Sequence, residues 1–174
     1  MSPSKKQVSL GFEAGEEYTV YGIDSALPDY MLSYRLNQFL RWNLRRIRSF
    51  RVFNGKNNPP QDFGLYHEHR DDFADFFLVC PITGQISLAT GFTLILRGHI
   101  HIYEMESLIL KIREIPEIWE VRQFHPDGNS LAKPFRQFVG NLLYDLEYHI
   151  LTLEKNNHRP NPYLKTCVPK SLQP

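Results

Sequence analysis

The chain predicts an α+β domain: a two-layer arrangement with a mainly antiparallel sheet of about five to six strands and three helices. Three observations lead there. Short runs rich in β-branched and aromatic residues follow one another with turn residues between them, which is the pattern of hairpins. Longer stretches carry apolar residues at three- and four-residue spacing, which is the pattern of amphipathic helices. The strands are grouped rather than alternating strictly with helices, so a purely parallel sheet is not expected.

The elements run as follows. Glu17 to Ile23 (EYTVYGI) alternates and predicts a strand. Pro28 and Asp29 suit a first helical turn, where a missing N–H is harmless and a carboxylate meets the positive end of the dipole. A helix is expected from Asp29 to Arg46, with Leu32, Leu36, Phe39 and Leu40 on its apolar face and Met31 and Leu44 flanking it. Arg48 to Phe53 reads as a short strand and NGKNNPP as a loop. Phe63 to Glu68 and Phe73 to Val79 read as strands joined by the acidic turn HRDD. After a turn at Pro81 to Gly84, Ile86 to Arg97 is β-rich. Ile102 to Ile115 predicts the second helix, stopped by Pro116. Ile118 to Phe124 predicts a strand, closed by HPDGNS. Pro134 to Lys155 predicts a long third helix through Phe135, Phe138, Val139, Leu142, Leu143, Leu146, Ile150 and Leu153.

A length of 174 residues suits one domain. It is expected over residues 17–155, between a flexible N-terminus (1–16) and a disordered, proline-rich tail (156–174). The 42% hydrophobic and 13% aromatic fractions allow a substantial core. A formal net charge of +1 gives no global attraction to nucleic acid or acidic lipid, so any electrostatic recognition is local. Two cysteines without a C-x-x-C motif fit a reducing compartment, and neither a signal peptide nor a membrane-spanning run is expected. The reading is therefore cytoplasmic.

Two groups of residues could carry function. Arg35, Arg41, Arg45, Arg46, Arg48 and Arg51 fall in a stretch that has no acid between Asp29 and Asp62. On a continuous helix Arg41, Arg45 and Arg48 would share one face, with Trp42 among them. Guanidinium groups suit phosphates or carboxylates, and an aromatic ring suits a base. The same arginines could instead pair with Asp71, Asp72 and Asp75. The second group is His67, His69, His99 and His101. Each pair stands at i, i+2, so its imidazoles would share one face of a strand and could gather a transition metal. Signatures of catalysis are lacking: no G-x-S-x-G, no P-loop and no G-x-G-x-x-G after a strand. Cys80, in LVCPI, reads as packing. The expectation is a non-enzymatic binding protein. Its partner is a protein or RNA, met through Arg41, Trp42, Arg45 and Arg48, and no cofactor is implied. The alternative is a metal-binding protein or metal-dependent enzyme using the paired histidines.

The run GIDSALPDYMLSYRLNQFLRWNLRR, followed by FGLYHE, DFFLV and LILKIREIPEIWEV, resembles the bacterial IPExxxVDY family. The likeness extends over about Tyr18 to Leu143. The resemblance implies a small cytoplasmic protein of unassigned biochemical role and brings no functional residues with it. The naming motif is expected near Ile86 to Thr93, where this chain reads ISLATGFT, and Ile115-Pro116-Glu117 is read as an unrelated helix end.

Overall fold

The computed structural model describes residues 18–54, 59–70, 74–82, 91–98, 100–124 and 133–157. It contains β1 (Tyr18–Ser25), α1 (Asp29–Leu40), β2 (Arg45–Val52), β3 (Gln61–Arg70), β4 (Ala74–Pro81), β5 (Phe92–Arg97), α2 (Ile102–Arg113), β6 (Ile118–Phe124) and α3 (Lys133–Asn157). The six strands form one sheet in the order β2-β3-β4-β5-β1-β6, and every neighbouring pair is antiparallel. This is the α+β architecture that the hairpin pattern predicts.

The layering differs from expectation. Side chains alternate across the strands, and both faces are apolar. Tyr21, Ile23, Phe76, Leu78, Leu94 and Leu96 pack with Leu32 and Leu36 of α1 and Ile109 and Ile112 of α2. Val20, Leu65, Phe77, Val79 and Ile95 pack with Phe138, Val139, Leu142 and Leu146 of α3. Helices therefore cover the sheet on both sides, giving three layers rather than two. The physical reason is visible in β4, where all residues from Ala74 to Cys80 are buried. A strand buried on both faces needs a layer on each.

The first helix is also shorter than the spacing predicts. It ends at Leu40, and Arg41 takes a left-handed backbone (φ 54°) as its C-cap. The amide of Trp42 then donates to the Asn37 carbonyl at 3.1 Å. The Asn37 side chain binds both backbone groups of Leu44, donating to its carbonyl at 3.1 Å and accepting from its N–H at 2.8 Å. This clamp turns the chain directly into β2, so Leu44 is buried by the turn rather than by a continued helix.

Both edge strands are answered by helix side chains. On β2, His149 Nε2 lies 2.9 Å from the Arg48 carbonyl, and just past its end the Phe53 N–H donates to Asp145 at 2.8 Å. Both partners belong to α3. On β6, Arg113 of α2 donates to the Val121 carbonyl at 3.0 Å. Edge groups engaged in this way are withheld from pairing with another chain. Among the described residues no helix is long and apolar enough to cross a membrane.

Candidate functional site

The arginine stretch does not make a helical face. Arg41 caps α1, while Arg45 and Arg48 lie on the edge strand β2. Three arginines of the stretch are answered by acids. Arg35 pairs with Glu117 at 2.7 Å. Arg46 pairs with Asp29 and lies over the Tyr66 ring at 5.2 Å. Arg51 pairs with Asp62 at 2.7 Å, an exposed contact. Arg41, Arg45 and Arg48 are exposed, and none makes an ion pair among the described residues. Arg45 donates to the Asn43 side chain at 3.3 Å.

Trp42 departs from its expected place beside them. It is 6% exposed and packs against Phe76, with ring centroids 4.6 Å apart, in the core shared with α1 and α2. It cannot stack on a base at the surface that carries Arg45. The expected pairing of the arginines with Asp75 is not found either, because Asp75 is committed elsewhere. Asp71 and Asp72 lie outside the described residues.

Asp75 is the centre of the strongest polar cluster. It is 7% exposed and sits on β4, directly opposite His69 of β3 and Arg97 of β5. Its Oδ1 meets His67 Nε2 at 2.8 Å and His69 Nδ1 at 3.0 Å. Its Oδ2 accepts from Arg97 Nη2 at 2.7 Å and Nε at 3.0 Å. Arg97 reaches onward to Glu147 of α3 at 3.4 Å. The His67 ring stacks on Phe77, with centroids 4.7 Å apart and planes 10° apart. Burial by itself would raise the Asp75 pKa. The hydrogen bonds from His67 and His69, together with Arg97, outweigh burial and hold the carboxyl well below its ordinary range.

This cluster also places the histidines. His67 and His69 point toward the α3 layer and converge on Asp75. His101 is the N-cap of α2 in the opposite layer and stacks on Tyr103, with centroids 5.2 Å apart. His99 lies outside the described residues. The expected four-histidine set is therefore not assembled from His67, His69 and His101. Both histidines meet Asp75 Oδ1, while the Arg97 guanidinium occupies Oδ2. Among the described residues no group of three or more His, Cys, Asp or Glu side chains is arranged to hold a metal ion. Cys80 is buried, and burial pushes its thiol pKa far up, as suits a packing residue.

Sequence reasoning missed the Asp75 cluster because strand register brings its members together. Asp75 stands 22 residues from Arg97, and Arg97 stands 50 from Glu147. The available signal was an acid inside an otherwise apolar strand, ADFFLVC, since a buried charge needs partners.

Fold and surface together define a class: an antiparallel α+β protein with a buried polar cluster and with exposed arginines at the end of α1 and on β2. In comparison with known proteins, no family model matches this chain, and no curated protein matches it.

Proposed function

We propose that this chain is a non-enzymatic binding protein whose basic edge, Arg41, Arg45 and Arg48, engages an acidic macromolecular partner. The observation that carries the reading is the division of the arginine stretch. Arg35, Arg46 and Arg51 are answered by acids, whereas these three are exposed without an acidic partner among the described residues. With Trp42 in the core, charge is what remains to these residues, which favours an acidic protein surface over RNA. Arg41 adds a second support. It is the one non-glycine among the described residues with a positive φ, and such a conformation is retained most readily where the side chain has a use.

The test is salt dependence of binding to RNA and to acidic protein partners captured from cytosol after nuclease treatment. Three phosphate contacts would give a log–log slope of about −2 to −3. Changing all three arginines to Gln should abolish capture of the acidic partner, or flatten the slope, while leaving the unfolding midpoint nearly unchanged. Binding that survives the triple change would overturn the reading.

The paired-histidine alternative rests on His67 and His69 alone among the described residues. Their shared partner Asp75 is bridged by Arg97, so the arrangement favours the binding reading.

Kinship with the IPExxxVDY family belongs to the same proposal. Ile115, Pro116, Glu117 and Val121 stand at the spacing that its name spells, with Arg122 and Gln123 in the last two places. This supports aligning the motif with the α2–β6 turn rather than with residues 86–93. The turn is well anchored here: Ile115 is fully buried, Glu117 holds Arg35, and the Glu117 carbonyl accepts from Ser25 at 2.8 Å.

A further inference from the structure

We propose that a cleft of about 500 Å³ between α1, α2 and the sheet binds a small planar aromatic anion of mononucleotide size. Arg41, Arg45 and Arg48 do not line it, although Leu40 and Trp42 on either side of Arg41 do. A volume of this order is typical of small-molecule sites. The cleft is floored by Trp42 and Phe76, which are packed together at 4.6 Å and show only a small part of their rings. Arg70 of β3 lies over both, 6.0 Å from the Trp42 ring and 5.3 Å from Phe76. These are cation–π distances, and they hold the guanidinium beside the aromatic floor. Glu68 takes its Nε at 3.3 Å, in a pair whose arginine is half exposed.

The facing wall comes from α2. Tyr103, Ser107 and Lys111 recur every four residues, so they form one stripe along the helix, and all three line the cleft. All three are exposed, and Tyr103 is 72% exposed, with His101 stacked on one face of its ring. Lys111 and Arg70 both line the cleft, together with Tyr103, Ser107 and the acid Glu104. The two cations suit an anionic group, and the exposed Tyr103 suits a planar ring.

The experiment uses Trp42 as its own reporter. The chain has two tryptophans, and Trp119 is exposed, so Trp119→Phe leaves Trp42 as the single tryptophan, read by excitation beyond the tyrosine band. AMP, GMP, adenosine and inorganic phosphate are titrated into this protein up to millimolar concentration. The expected result is a saturable change in Trp42 emission with AMP or GMP. Affinity should be about tenfold weaker or worse for adenosine and for Lys111→Gln, the size of one lost charge-assisted hydrogen bond. Absence of a saturable response to both nucleotides overturns the proposal. So does phosphate binding as tightly as the nucleotides, which would make the site one for an adventitious ion only. Binding abolished by changing Arg41, Arg45 and Arg48 to Gln, yet unmoved by Lys111→Gln, assigns it to the basic edge and also overturns the proposal.

Discussion

At φ 54°, Arg41 holds a conformation that costs an L-residue about 1–2 kcal/mol and costs glycine almost nothing. Glycine recovers that strain but adds freedom to the unfolded chain. Arg41→Gly should therefore raise stability by about 0.5–1 kcal/mol in urea unfolding. If the basic edge is functional, the same change should weaken partner capture. Stability and binding would then move in opposite directions, and a variant that gains both would remove Arg41 from the interface. Asp75 offers a second test at this scale. Its folded pKa is depressed, so its contribution to stability is fully present above its unfolded value of about 3.9 and is lost as pH falls toward the folded value. The free energy of unfolding should decline below about pH 4, and Asp75→Asn should make that decline shallower. An identical acid slope in both proteins would mean that His67, His69 and Arg97 do not stabilise the charged carboxylate.

Among the elements, α3 and β2 are joined through His149. Burial lowers the His149 pKa, and the nearby Arg48 charge adds to this, while the hydrogen bond to the Arg48 carbonyl works against them. A depressed histidine pKa means that the neutral ring is favoured in the fold. Its contribution is therefore complete above about pH 6.5 and declines as pH falls toward the folded value. His149→Gln keeps a donor for the carbonyl and cannot titrate. Stability measured from pH 7.5 to 5 should slope in the parent and flatten in the variant, and hydrogen exchange at β2 should follow the same course. The elements were read from sequence with uneven success, for local reasons. β6 matched from Ile118 to Phe124 because a proline stop and a turn cluster bracket it. α1 was read six residues too long because Leu44 falls four residues after Leu40 and continues the apolar period. What ends the helix is the Asn37 side chain gripping Leu44, and no glycine announces it. The expected clustering of Arg41, Arg45 and Arg48 on one helical face failed with that boundary.

For the whole molecule, the number of layers is legible in one strand. Beyond Asp75, FFLVC is apolar without alternation, which implies cover on both faces. The two resulting cores touch opposite sides of the same sheet, so they should melt as one unit. Leu142 is 1% exposed in the α3 core, and Leu142→Ala should cost about 2–5 kcal/mol. Trp42 sits in the other core, where its fluorescence in a Trp119→Phe background reports on the α1 and α2 layer. The Leu142→Ala transition should fall at the same denaturant concentration by fluorescence and by helicity. A fluorescence midpoint unmoved while helicity is lost early would mean that the layers unfold separately.

The capped edges carry a consequence for the fate of the chain under stress. α3 contributes a core face and also occupies the open rim of β2 through Asp145 and His149. When α3 lifts, apolar surface and unsatisfied strand edge are uncovered in the same event. Local opening and self-association are thereby tied to one latch. Mild acid weakens that latch by protonating His149, whose neutral ring the fold favours. A sample held near pH 5 should then polymerise through β2 while most of its helices are intact.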